Sequence, residues 1–168
     1  MNQWRGVAAQ ARFLPNRNPR GGCFITGANG HVVGQGFTQQ AGGPHAEVRA
    51  LRDAAAAGRD VRGATAYVTL EPCAHQGRTG PCCDALIQAG VAKVVASIAD
   101  PNPLVAGQGF ARLRAAGIEV VVGPGAEESR ELNIGFFSRM VRGTPWVRLK
   151  VAASLDGTTA LHNGASQW

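Results

Sequence analysis

Aromatic residues are scarce in this 168-residue chain, at 6% of the total with a single tyrosine. Basic and aromatic residues are not interleaved anywhere, which counts against a surface that stacks unpaired nucleic-acid bases. Long apolar runs are missing as well. The longest are strand-sized, whereas a membrane-spanning helix needs about 20 apolar residues. Met1-Asn2-Gln3-Trp4-Arg5 lacks the basic region and apolar stretch of a secretory signal, so a cytoplasmic location and no membrane partner are expected. Acidic residues number 11 against 17 lysines and arginines, giving a net charge of +6. That balance suits an anionic ligand, either a phosphorylated small molecule or nucleic acid, and the shortage of aromatics favours the small molecule. The chain has only four cysteines. In a reducing compartment these are better read as thiols or metal ligands than as disulfides.

What is present is an ordinary globular composition, 45% hydrophobic and 17% charged, enough for one domain and a short extra piece. No internal repeat occurs. Cys23-Phe24-Ile25-Thr26 and His31-Val32-Val33-Gly34 flank Gly27-Ala28-Asn29-Gly30 and predict a hairpin. A helix is expected from Pro44 to Ala57, with Gly58 as its stop and Val48, Leu51 and Ala55 on one face. Strands follow at 64–70, 93–98 and 118–122, alternating with helices from Pro81, from Val105 to Ala116 and from Ala126 to Val141. Strands three to five joined by helices should be parallel, giving a three-layer α/β/α sandwich on a mixed five-stranded sheet. After Gly143-Thr144-Pro145 another strand, Trp146 to Ala152, is expected to open a second unit, and alone to fray or to pair with another chain's edge. The division is therefore residues 1–143 and 144–168.

Three short motifs carry the chemistry. Pro44-His45-Ala46-Glu47 starts a helix, Glu71-Pro72-Cys73 follows a strand, and Pro81-Cys82 opens the next helix. Helix starts and strand ends converge at one edge of an α/β sheet. One imidazole and two thiolates suit zinc, and three protein ligands leave a fourth position open to water, as in catalytic sites. The metal would bring water near its ionisation point at neutral pH, with Glu47 moving protons. Cys83 could replace Cys82 as ligand, although proline at the helix start places Cys82 at the mouth. Helix dipoles should favour thiolate at Cys82. Cys23 is expected in the core. His-x-Glu with a later Pro-Cys is a signature of zinc deaminases. Their second cysteine commonly follows as Cys-x-x-Cys; here eight residues separate Cys73 from Cys82.

In that insert, Ala74-His75-Gln76-Gly77-Arg78-Thr79-Gly80-Pro81, and in Ala99-Asp100-Pro101-Asn102-Pro103, the chain resembles the bifunctional riboflavin-biosynthesis deaminase–reductases. One departure is Asn16-Arg17-Asn18-Pro19, where the family usually shows His-Pro-Asn-Pro. The resemblance implies a cytidine-deaminase-like fold. It also implies hydrolytic deamination of a diaminopyrimidinone ribosylamine 5′-phosphate, with substrate contacts from Asn18, His75, Arg78 and Asn102. Val151 to Gly157 and Gly164 to Trp168 are similar to the start of the family's reductase domain, where Ala152, Ser166 and Trp168 would meet NADP(H). Because the sequence stops at Trp168, reductase activity is expected to be absent. Two rivals stand beside this reading: a nucleobase or tRNA deaminase of the same fold, and a catalytically inactive zinc-binding fragment. A homo-oligomer is compatible with all three.

Overall fold

The structure, a computed structural model, describes residues 19–77, 80–103 and 105–166. Its elements in chain order are β1 (Gly22–Thr26), β2 (Val32–Phe37), α1 (Ala46–Ala56), β3 (Thr65–Val68), α2 (Cys82–Gln88), β4 (Lys93–Ala96), α3 (Gln108–Ala115), β5 (Glu119–Val122), α4 (Ala126–Leu132) and α5 (Ile134–Phe137). A π-helical turn, Ser138–Arg142, continues α5. The strands form one five-stranded sheet in the order β2-β1-β3-β4-β5. β1 runs antiparallel to β2 and β3, while β3, β4 and β5 are mutually parallel. The mixed sheet expected from the sequence is therefore present. The hairpin forms as expected, with Gly30 alone supplying the positive φ of its turn.

Alternation along the strands decides which face is the core. Cys23, Ile25, Ala66, Val68, Val94 and Ala96 share one face and pack against Ala46, Ala50, Leu86 and Leu113 from α1, α2 and α3. Cys23 is fully buried there, as its sequence context predicts. The opposite face carries Phe24, whose ring stacks on Tyr67 at 4.6 Å between centroids.

The buried stripe of α1 differs from the expected one. Ala46, Glu47, Ala50 and Ala54 face inward, Val48 and Leu51 are half-buried, and Ala55 is exposed. The reason lies in β2, where Gly34 and Gly36 let the helix backbone come very close. A Cβ at Gly36 would sit 2.6 Å from the Ala46 carbonyl oxygen and from the Ala50 nitrogen. At such a distance only alanines fit the helix face, so the largest apolar residues do not mark it. Gly36→Ala is expected to destabilise the fold by about 1–3 kcal/mol through overpacking. An unchanged denaturation midpoint would show that α1 does not rest on β2 so closely.

A further expectation fails. The last helix breaks at Asn133, where φ is −113°. Its side-chain amide accepts from the Arg20 N–H at 2.6 Å and donates both to the Arg20 carbonyl at 3.2 Å and to the Ser129 carbonyl at 3.1 Å. Residues 146–152 form no strand. Val147 and Leu149 are 80% and 84% exposed, because no described strand lies beside them to take their backbone hydrogen bonds.

Candidate active site

The three motifs meet at the edge of the sheet where β3 ends. His45 precedes α1 in an extended conformation (φ −71°, ψ 169°), so its ring swings clear of the helix that follows. Glu47 lies in the first turn of α1 and is buried. Cys73 follows the fully buried Pro72, and Cys82 is the first residue of α2. Across the intervening loop, the Cys83 N–H donates to the Cys73 carbonyl at 3.2 Å. Arg112 holds the start of that loop: its fork grips the Asp84 carboxylate at 2.8 and 2.9 Å, and it donates to the Ala74 carbonyl at 3.2 Å.

His45 Nδ1 lies 3.6 Å from Cys73 Sγ and 3.3 Å from Cys82 Sγ. All three ligand atoms fall within 4.8 Å of one another. Tetrahedral zinc, with bonds of about 2.3 Å to sulfur and 2.0–2.1 Å to nitrogen, spaces sulfur and nitrogen about 3.6 Å apart. The cluster therefore fits that ion in both donor type and span. Cys83 is turned away into the core, its sulfur 3.8 Å from Asp84 Oδ1.

The protons of the cluster are distributed unevenly. A hydrogen bond from Cys82 brings the Cys73 thiol down to about 4, while sharing that proton and being buried push Cys82 well up. In the metal-free pair the lowering thus falls on Cys73. The geometry explains it: the first N–H of α2, from Cys82, donates to Cys73 Sγ at 3.3 Å. The helix mouth thus serves the Cys73 sulfur. The hydrogen bond with Cys73 raises His45, and burial raises Glu47 despite the opposing charge of His45.

His45, Cys73 and Glu47 open into a cavity of about 430 Å³ that is also lined by His75, Asp100, Asn102, Phe136, Arg139 and Met140. His75 is exposed and Asn102 half-buried. Asn18 and Arg78, predicted from the sequence to touch substrate, lie outside the described residues, as does Trp168. Ala152 is half-buried and Ser166 exposed, and neither lines the cavity.

Glu71 has a function that sequence reasoning missed. Its buried carboxylate accepts from the N–H groups of Asp100 at 3.2 Å, Gly107 at 2.9 Å and Gly109 at 2.8 Å. It therefore ties the 98–107 loop, and with it Asn102, to the residue two before Cys73. It also satisfies N–H groups at the start of α3 that no turn of helix can reach. Gly109 permits the approach, since a Cβ there would lie 1.9 Å from the Pro72 carbonyl oxygen. An acidic residue two before a candidate ligand cysteine, 38 residues from a glycine at a helix start, offers no periodicity from which the contact could be read.

Residues 1–98 match the family described as the cytidine and deoxycytidylate deaminase zinc-binding region. Over 162 residues the chain is 57% identical to the riboflavin biosynthesis protein RibD of Escherichia coli (strain K12), covering 96% of this chain and 43% of that one. A solved structure of Acinetobacter baumannii RibD superposes with a TM-score of 0.88 at 50% identity, over 99% of this chain and 46% of the other. A Thermotoga maritima structure, described as a diaminohydroxyphosphoribosylaminopyrimidine deaminase/5-amino-6-(5-phosphoribosylamino)uracil reductase, matches with a TM-score of 0.91 at 41% identity, over 100% and 48%. The chain thus spans less than half the length of these relatives. The likeness bears out the expected cytidine-deaminase-like sandwich.

Proposed function

Because the chain belongs to the cytidine and deoxycytidylate deaminase zinc-binding family, we propose that it deaminates the diaminopyrimidinone ribosylamine 5′-phosphate of riboflavin biosynthesis. Water adds to the ring carbon that bears the amino group, the carbon–nitrogen bond breaks, and ammonia leaves behind a carbonyl. His45 Nδ1 and the sulfurs of Cys73 and Cys82 hold zinc. The metal, when bound, supplies the acidity that makes water a nucleophile near neutral pH. Glu47 takes a proton from the attacking water and hands it to the departing nitrogen. Its burial beside the ligands, which raises its proton affinity, suits it to both halves of that transfer.

The observation that carries this reading is the His45–Cys73–Cys82 cluster, whose His45 and Cys73 open into a cavity together with Glu47. His75 and Asn102, on the same cavity, are assigned to the edges of the substrate ring, with Asn18 beside them by family likeness. Arg78 is assigned to the phosphate, where a guanidinium forms charge-assisted hydrogen bonds. A unit boundary near Gly143 belongs to the same proposal. It is supported by the exposed chain without regular structure from Trp146 to Ala152.

The reading is tested by ammonia release from the phosphorylated pyrimidinone, set against cytosine, adenine and tRNA. Release from the pyrimidinone alone is expected. Release only from one of the others would make the chain a nucleobase or tRNA deaminase, and a zinc-loaded chain without turnover would be an inactive fragment. Arg78→Ala is expected to raise KM for the phosphorylated substrate about ten-fold with kcat little changed, since a phosphate contact exists in ground and transition states alike. An unaltered KM would remove Arg78 from the site.

A further inference from the structure

We propose that Arg139 is a second phosphate-binding residue of this pocket, gripping the substrate's phosphate monoester from the wall built by α5 and the π-helical turn. The proposal rests on the deaminase reading above and extends it to a part of the chain that none of the three motifs touches. Three carboxyl-bearing residues, Glu47, Glu71 and Asp100, line the cavity. Among the described residues, Arg139 is the one permanent cation that does. A phosphate dianion entering such a cavity meets repulsion unless a cation stands on its wall.

The local geometry favours that task. The Arg139 guanidinium lies 5.9 Å from the centroid of the Phe136 ring, and Phe136 lines the same cavity. A guanidinium beside an aromatic ring gains a cation–π attraction, and its planar fork suits phosphate through two hydrogen bonds. The wall is anchored at both ends. Ser129 Oγ donates to the Thr69 carbonyl at 2.5 Å, the Asn133 amide clamps Arg20, and Ser138 Oγ donates to the Thr144 carbonyl at 2.8 Å. Single π-helical turns recur at functional sites, and this one spans Ser138–Arg142, placing both Arg139 and Met140 on the cavity. Arg20, the neighbouring cation, does not line the cavity.

The test compares zinc-loaded parent, Arg139→Ala and Arg139→Lys on the phosphorylated substrate and its dephosphorylated form. The parent's preference for the phosphorylated form, read as the ratio of the two KM values, should fall about 10- to 100-fold in Arg139→Ala, the range for one lost charge-assisted hydrogen-bonded contact. Arg139→Lys should recover part of it, because it restores the charge without the planar fork. An unchanged ratio, or equal KM increases for both substrates, overturns the proposal. Should the parent release no ammonia from either compound, the deaminase reading fails, and the phosphate site is then read by calorimetry with ribose 5-phosphate. Binding by the parent that weakens at least ten-fold in Arg139→Ala would uphold it. Equal binding, or none by the parent, would overturn it.

Discussion

Glu47→Gln is expected to lower turnover by about 10²- to 10⁴-fold, the usual contribution of a positioned general acid–base, while zinc stays at one ion per chain. Glutamine keeps the shape of the side chain, so the packing around a residue only 8% exposed should survive. It cannot accept the proton that water must give up. The three candidate ligand atoms come from His45, Cys73 and Cys82, with no place needed for the Glu47 carboxylate. Ammonia release and metal analysis on the same preparation separate the two roles. Loss of zinc in Glu47→Gln would make Glu47 a ligand and remove the proton transfer assigned to it.

Cys73→Ser should act one step earlier, emptying the metal site and reducing ammonia release to background. Cys73 Sγ receives the Cys82 N–H and faces His45, so the sulfur sits where two elements have already converged. A serine hydroxyl is shorter and stays protonated near neutral pH, which leaves only two effective ligands for an ion that wants at least three. Cys83→Ser supplies the comparison. Cys83 is wholly buried in the core, so the variant should keep its zinc but lose about 1–3 kcal/mol of stability from a poorly partnered hydroxyl. Full metal content in Cys73→Ser, or loss of metal in Cys83→Ser, would reverse the assignment of the ligands. So would a Cys73–Cys82 disulfide; in the structure all four cysteines are free.

Much of this site was legible before folding because its parts are local. Proline before His45 and before Cys82 marks two helix starts, and the branched run before Glu71 marks a strand end. Residues at such ends have few places to go in an α/β sheet, so their meeting follows from topology alone. The same holds for the parallel order of β3, β4 and β5, which short helical crossovers impose. Where large apolar side chains do not mark an interface, the pattern misleads. The alanine face of α1 is selected by Gly34 and Gly36 on another element, and a count of valines and leucines points one position aside.

The amino-acid sequence by itself supplied the candidate donors His45, Cys73 and Cys82, with Cys83 as alternative, the proposed acid–base Glu47 two residues from the histidine, and the long loop that separates Cys73 from Cys82. Each depends on residue type and short spacing, which folding does not alter. Tertiary structure alone decided that the N–H at the mouth of α2 donates to Cys73 Sγ. It also decided that Glu71 holds the loop bearing Asn102, and that Arg139 faces the same cavity as residues more than sixty positions earlier. Those contacts join segments whose separation carries no period, and the hydrogen-bond partners that create them exist only once the backbone has closed around the site.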